Sequence, residues 1–455
     1  MSISLKPICL TFAALVLSAP AWAVDLVGVH DLAVENDPRL QAAASRLEAT
    51  RENKAIARAN LLPQIGVGAN LNYGNSDTTY PNPFPPPDRR LVKTDIDTDS
   101  YGAELRQSLY RQANYEALDV ARGQVSQAES IYQIAYQDFL LRVAESYFLV
   151  LTLTDGVTFA EAEEKAFQRQ YEQAEQRFEV GLTAVTDVHE ARASYDNARA
   201  RAIVARNDLE DAKEALRELT GQYFEQYDAL QEVLPLVEPD PSGADQWVDI
   251  SLRSNPSVLS SRAGLEVAEA NVRLARSGHF PTLDLVGSYN KFNNNKYLYT
   301  EPVSGQQLTG ELENEESRLL LQLQFPLYQG GRVNAQTRQA RYLMDASGQD
   351  LDDVQRGVVR QTQTAYRAVI AGIQEVEAFE QARISAESAL EATQAGFEVG
   401  TRTIVDVLIA EQRKYQAQRD NSLARHAYII RHLRLKSVAG LLNAEDLRVV
   451  NQLLQ

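Results

Sequence analysis

Gly396-Phe397-Glu398-Val399-Gly400-Thr401-Arg402-Thr403-Ile404-Val405-Asp406-Val407 repeats the frame of an earlier stretch, Arg177-Phe178-Glu179-Val180-Gly181-Leu182-Thr183-Ala184-Val185-Thr186-Asp187-Val188. Each copy reads as a helix stopped at Val-Gly and restarted a few residues later. Glycine reaches the left-handed conformation that ends a helix more readily than any other residue. Thr183 or Thr401 can cap the helix that follows, and Asp187 and Asp406 fall near its positive end. Each copy is therefore a tight helical hairpin.

The repetition extends well beyond these turns. Pro38 and Pro256, Pro63 and Pro281, and Leu109-Tyr110 and Leu327-Tyr328 are each 218 positions apart; Gly181 and Gly400, Asp187 and Asp406, and Gly221 and Gly440 are 219 apart. One sliding residue over such a distance marks two homologous halves, and so a repeated architecture. The halves are expected at about 24–230 and 247–455, joined by a linker at 231–246 that contains Pro235, Pro239, Pro241 and Gly243.

A chain of 455 residues ordinarily folds as two or three globular domains. Here Gly and Pro are sparse over long intervals while Ala, Gln, Glu and Arg abound, a composition that favours long helices. The net charge of −17 argues against a nucleic-acid partner, which calls for a basic face. It suits a cation-tolerant surface or lumen, although charge alone is equally compatible with an acidic soluble protein.

Residues 1–23 carry Lys6, the apolar run Ile8 to Leu17 and then Ala21-Trp22-Ala23, the three regions of a secretory signal peptide. Cleavage near Val24 removes Lys6 and leaves a balance of 44 − 62 = −18. The single cysteine, Cys9, lies within this leader, so the exported chain is expected to have neither a disulfide framework nor a Cys-based metal site. No later window offers 18 apolar residues, and the richest, Phe139 to Leu153, is broken by Arg142 and Glu145. A membrane crossing would thus require a closed barrel, because lipid leaves no other way to satisfy the backbone.

Asn36-Asp37-Pro38 opens a helix that runs to about Ala59, and Pro63 ends it; Asn255-Pro256 and Phe280-Pro281 repeat the pattern. The period then changes. Ile65, Val67, Ala69, Leu71 and Tyr73 alternate with Gln64, Gly66, Gly68, Asn70 and Asn72, which is a strand with one apolar and one polar face. A turn rich in proline, Pro81 to Pro87, separates it from Tyr101, Ala103, Leu105 and Leu109, which alternate with Gly102, Glu104, Arg106 and Ser108. The second half offers Leu283, Leu285 and Tyr289, a polar loop around Asn293 to Glu313, and Leu319, Leu321, Leu323, Phe325 and Leu327. The β-hairpins are expected at about 64–110 and 282–328.

One such hairpin alone reads equally as part of a soluble domain. In an exported chain, strands of about ten residues with charged partners such as Glu104, Arg106 and Asp284 fit lipid outside and water inside better. Four strands cannot close a barrel, so protomers must pool them. Tyr110 and Tyr328, at equivalent strand ends, suit an interfacial aromatic belt or ordinary packing.

Long helices are expected at about 112–180 and 332–399, with shorter return helices at about 183–220 and 402–440. The seams Leu118, Ala121, Val125, Ala128, Tyr132, Ala135, Phe139 and Ala340, Met344, Ser347, Leu351, Val354, Val358 alternate steps of three and four. A helix of this length runs roughly 100 Å, far beyond a compact domain. Taken alone, antiparallel helices of this kind also describe a coiled-coil stalk, so a structural periplasmic scaffold without channel activity is the alternative.

The motifs of catalysis are missing. His189-Glu190 lacks the second histidine of a zinc-protease helix, His426 and His432 do not share a helix face, and Gly66-Val67-Gly68 belongs to a strand. No enzyme, cofactor or metal site is expected.

Val399-Gly400-Thr401-Arg402-Thr403-Ile404-Val405-Asp406-Val407, followed by an Ala/Arg/Gln-rich helix, resembles the TolC family of bacterial outer-membrane efflux ducts over nearly all of the exported chain. The resemblance implies a mainly α protein with membrane β: an internally duplicated protomer of a trimeric 12-stranded β-barrel continuous with a long α-helical barrel. It implies a passive exit duct of a tripartite efflux pump or type I secretion system in the outer membrane of a Gram-negative bacterium. The resemblance further implies a homotrimer in lipid that engages a periplasmic adaptor and an inner-membrane transporter of the RND, ABC or MFS type. By the same resemblance Asp406 matches an acidic ring at the closed entrance, and Asp187 and Arg402 match a lock between hairpins. The turns Val180-Gly181-Leu182 and Val399-Gly400-Thr401 match the places where adaptors dock. Two departures stand out: Phe397 replaces a lock tyrosine, removing one hydroxyl hydrogen bond, and Ile409 stands where a second ring acid is expected.

Overall fold

The computed structural model describes residues 23–81, 89–300 and 307–455. The expected signal peptide up to Trp22, Pro83 and Pro85 to Pro87 of the proline-rich turn, and residues 301–306 of the second loop lie outside the described residues. The chain divides into two units, one of residues 1–41, 136–248 and 361–455 and the other of residues 42–135 and 249–360.

The second unit holds a four-stranded antiparallel sheet in the order β1 (Gln64–Pro81), β2 (Arg89–Arg111), β3 (Thr282–Thr300), β4 (Gln307–Gln324). Each half of the chain contributes one hairpin, and β2 pairs with β3 to join them. Residues directly opposite one another share a face. Ile65, Leu105, Gly287 and Leu319 form one row, and Val67, Ala103, Tyr289 and Ser317 the next. Two rows further on, Leu71, Asp99, Asn293 and Glu313 end the apolar belt on that face. The opposite face carries Gly66, Glu104, Ser288 and Arg318, although Val286 and Leu320 also fall there. The apolar belt is bare: Val67 is 84% and Leu319 74% exposed.

Several expectations about the sheet are corrected. The segment from Asn293 to Glu313 was expected as loop, but β3 runs on to Thr300 and β4 begins at Gln307. Polar side chains sustain that extension, with Asn293 Nδ2 donating to Asp99 Oδ2 at 2.8 Å and Lys296 Nζ 3.4 Å from Asp95 Oδ2. Leu109 does not continue the alternation, because the register shifts between Ser108 and Tyr110 and brings Tyr110 opposite Leu283. Phe325, Leu327 and Tyr328 lie beyond the end of β4 at Gln324, next to Pro326, which has no N–H to give a ladder.

Helices α1 (Leu26–Asn36) and α2 (Pro38–Ala59) precede the sheet; α3 (Gln112–Glu179) and α4 (Val185–Thr220) follow the first hairpin. After α5 (Ala244–Ser254) and α6 (Pro256–Arg276) comes the second hairpin, then α7 (Arg332–Glu398), α8 (Ile404–Val438) and the short α9 (Ala444–Asn451). The sequence reading had no separate α1, α5 or α9, each about two to three turns long and too short for a period to declare itself. The apolar window at Phe139 to Leu153 has a plain cause, since Phe139, Leu140, Val143, Ala144, Tyr147 and Phe148 are core side chains of the first unit. In the same unit the segment after α4 is tied along α8: Tyr428 Oη donates to Val237 O at 3.0 Å and accepts from Val237 N at 2.8 Å.

Candidate gate at the two helical turns

The turns Val180-Gly181-Leu182 and Val399-Gly400-Thr401 are both Schellman motifs. Leu182 N donates to Arg177 O at 2.8 Å and Gly181 N to Phe178 O at 2.9 Å; Thr401 N donates to Gly396 O at 2.9 Å and Gly400 N to Phe397 O at 3.1 Å. Gly181 and Gly400 stand at φ +74 and +78, the left-handed region that a side chain strains. Nothing lies within 4 Å of a Cβ built on either, so backbone conformation alone selects glycine.

The caps differ from expectation. Thr403, not Thr401, caps α8: its backbone N donates to Asp406 Oδ2 at 2.9 Å and its Oγ1 accepts from Asp406 N at 3.2 Å. Thr401 Oγ1 instead donates to Gly396 O at 3.0 Å, back across the turn. In the first copy Ala184 holds the cap position of α4, and the Thr183 hydroxyl donates to the Asp187 carboxylate. The capping threonine is thus two residues later than expected in one copy and absent from the cap in the other.

Hydrogen bonds from the Thr403 backbone and hydroxyl hold the Asp406 carboxyl below its usual range, with the nearby Arg402 charge adding to them. Arg402 is exposed and lies across Gly396, where an added Cβ would come within 2.8 Å of Arg402 Cγ. Arg402 and Asp187 are not an ion pair among the described residues. Phe397 packs against two buried clusters, one containing Phe167, Ala191, Ile404 and Leu408 and the other Leu390, Val407 and Ala410. The Arg177 guanidinium sits 4.7 Å from the centroid of the same ring. Leu182 and Val399, each 76% exposed, give the turns an apolar surface together with Val180.

Sequence reasoning passed over the carboxylates behind the turns. Glu163 of α3 is fully buried and accepts from Arg201 of α4 at 2.8 Å and from Arg419 of α8 at 3.1 Å, so one carboxylate ties three helices. Glu411 is buried on the face of α8 that carries Ile404, Leu408 and Tyr415. The signal for both was available: a glutamate standing at a seam spacing of three and four where an apolar residue belongs.

A sequence model of the family described as outer membrane efflux protein matches residues 29–222 and again 247–441. Over 447 residues the chain is 38% identical to outer membrane protein TolC of Vibrio cholerae, covering 98% of each. It is 32% identical to the alkaline protease secretion protein AprF of Pseudomonas aeruginosa, over 96% of this chain and 88% of that one. Among solved structures, the outer membrane protein VceC of Vibrio cholerae matches with a TM-score of 0.73 at 18% identity, over 91% of this chain and 96% of that chain, a likeness of fold.

Proposed function

The chain belongs to the outer membrane efflux protein family, and from that premise we propose how it conducts. It is an outer-membrane exit duct of the kind that serves efflux and secretion, a channel and not an enzyme, working with the other components of a pump. In the finer reading three copies pool their four strands into a 12-stranded barrel, β4 of one copy pairing with β1 of the next. The observation that carries this is the sheet itself, with unpaired edges at β1 and β4 and a bare apolar face. Open edges invite strand pairing, and an apolar exterior belongs in lipid.

The two turns form the periplasmic gate. Asp406 supplies one carboxylate per copy to an acidic ring, and Asp187 and Arg402 act between neighbouring hairpins. The exposed Val180, Leu182 and Val399 meet a periplasmic adaptor, which brings an RND, ABC or MFS transporter to supply the energy. With Ile409 in place of a second acid, the ring holds three carboxylates and binds multivalent cations less tightly than six would.

Single-channel recording of the purified protein in a planar bilayer, beside Asp406→Ala at the same salt, tests the reading. Discrete, mostly closed, cation-preferring events whose block by multivalent cations weakens in the variant are expected. Block that ignores the substitution moves the ring elsewhere, and a folded protein that never conducts leaves only a scaffold.

A further inference from the structure

Behind the turns lies a carboxylate that neither the ring nor the lock uses. Glu411 is 6% exposed, and its Oε2 has no hydrogen-bond partner. Ile404 and Leu408, which share its face of α8, pack with Phe167 and Ala174 of α3 and with Ala191 and Ala198 of α4. Glu411 therefore stands in the seam by which α8 is held to the other two helices.

Arg201 and Arg419 both donate to Glu163, and Lys414 Nζ sits 5.0 Å from the centroid of the Tyr415 ring. The charged groups that face Glu411 are Lys414 on its own helix and Arg169 and Glu163 on α3, with the Tyr415 phenol one turn along α8. Among the described residues no cation reaches ion-pair distance of it. An ionised carboxylate buried without a partner is strongly disfavoured, whereas the neutral acid is tolerated.

We propose that Glu411 is a proton-binding latch: it holds a proton while α8 is packed on α3 and α4, and releases it when that packing opens at the tip. Burial pushes its carboxyl up to about 7, Lys414 and Arg169 draw it down and Glu163 pushes it further up. An acid exposed by opening returns to the ordinary value of 4.5. Between these two values the packed state holds a proton that the open state lacks, so packing weakens as pH rises through the window and is unchanged below it. Alkaline surroundings loosen the gate and acidic ones close it. The gating part of the proposal rests on the duct reading; the titration does not.

Hydrogen exchange on the full-length protein in detergent, corrected for intrinsic exchange rates, separates the two. Amides of Ile404 to Ala410 are expected to lose protection by roughly a hundredfold between about pH 4.5 and pH 8 in the wild type. Glu411→Gln, which keeps the shape and cannot ionise, is expected to show a flat profile, and Glu391→Gln, at an exposed carboxylate of α7, to keep the wild-type slope. A wild-type slope that survives Glu411→Gln, or that disappears in Glu391→Gln, overturns the latch. Bilayer recording of the same samples then tests the duct: an exchange signature in a protein that never conducts supports the latch and removes the channel.

Discussion

Thr403 and Asp406 satisfy each other's backbone N–H groups, a reciprocal cap that ends one turn and begins one helix. Thr403→Ala is expected to cost about 1 kcal/mol of local stability. It also removes one of the hydrogen bonds that hold the Asp406 carboxyl low, so Asp406 loses its charge at a higher pH; carbon NMR titration of the carboxyl is the check. The sign follows from a depressed carboxyl, whose stabilisation is complete above its unfolded value and fades as pH falls through the folded one. Gly396→Ala makes a different prediction, because its Cβ would meet Arg402 Cγ at 2.8 Å. It should displace Arg402 and reproduce the conductance of Arg402→Ala, whereas wild-type behaviour would show that Arg402 needs no fixed place. The sequence made the glycines and the acids legible, because left-handed turns and first-turn carboxylates have narrow residue preferences. It left the cap ambiguous among three threonines, since Thr183, Thr401 and Thr403 all stand near a helix start and only backbone geometry chooses.

At the scale of elements, β2 has 23 residues where a tilted membrane strand needs about ten. The apolar rows from Leu323 to Ala103 fall within that shorter length, and the remainder carries Asp95, Asp97, Asp99, Glu313 and Glu315, which belong in water. Val67→Arg, in the belt, is expected to destabilise by about 2–4 kcal/mol in urea unfolding from lipid, and Asn70→Arg on the opposite face by much less. Equal costs would place the wrong face in lipid. Alternation revealed the apolar rows but not the polar extensions, because strand pairing there is sustained by side-chain hydrogen bonds that no period announces. The long helices were legible for the opposite reason, as runs of 68 and 67 residues without proline leave few alternatives. Their interior ion pairs were not: a seam position marks Glu163, but only the packing shows that Arg201 and Arg419 meet it. Removing it as Glu163→Ala strands both arginines. Since each guanidinium is partly exposed, the cost is expected near the lower end of the ~3–5 kcal/mol typical of a broken buried pair, read from thermal unfolding.

For the whole molecule, β1 and β4 are the two outer strands of one sheet, so a covalent bridge between them has to join separate copies. Cysteines placed singly on β1 and β4, in a chain whose one native cysteine is Cys9, and treated with a spacer-arm cross-linker, are expected to yield a ladder that stops at three. A ladder stopping elsewhere changes the closure, and an unlinked monomer removes it. The need for pooled strands was legible from four short alternating runs, while the number pooled rested on resemblance. Open edges have a last consequence, in inheritance. A pore made by sharing walls is only as sound as its worst contributor. In a cell expressing equal amounts of an intact and a defective copy, the proposed closure by three would leave on the order of one pore in eight built wholly from intact chains. Alleles that spoil this protein should therefore behave as dominant over the normal one.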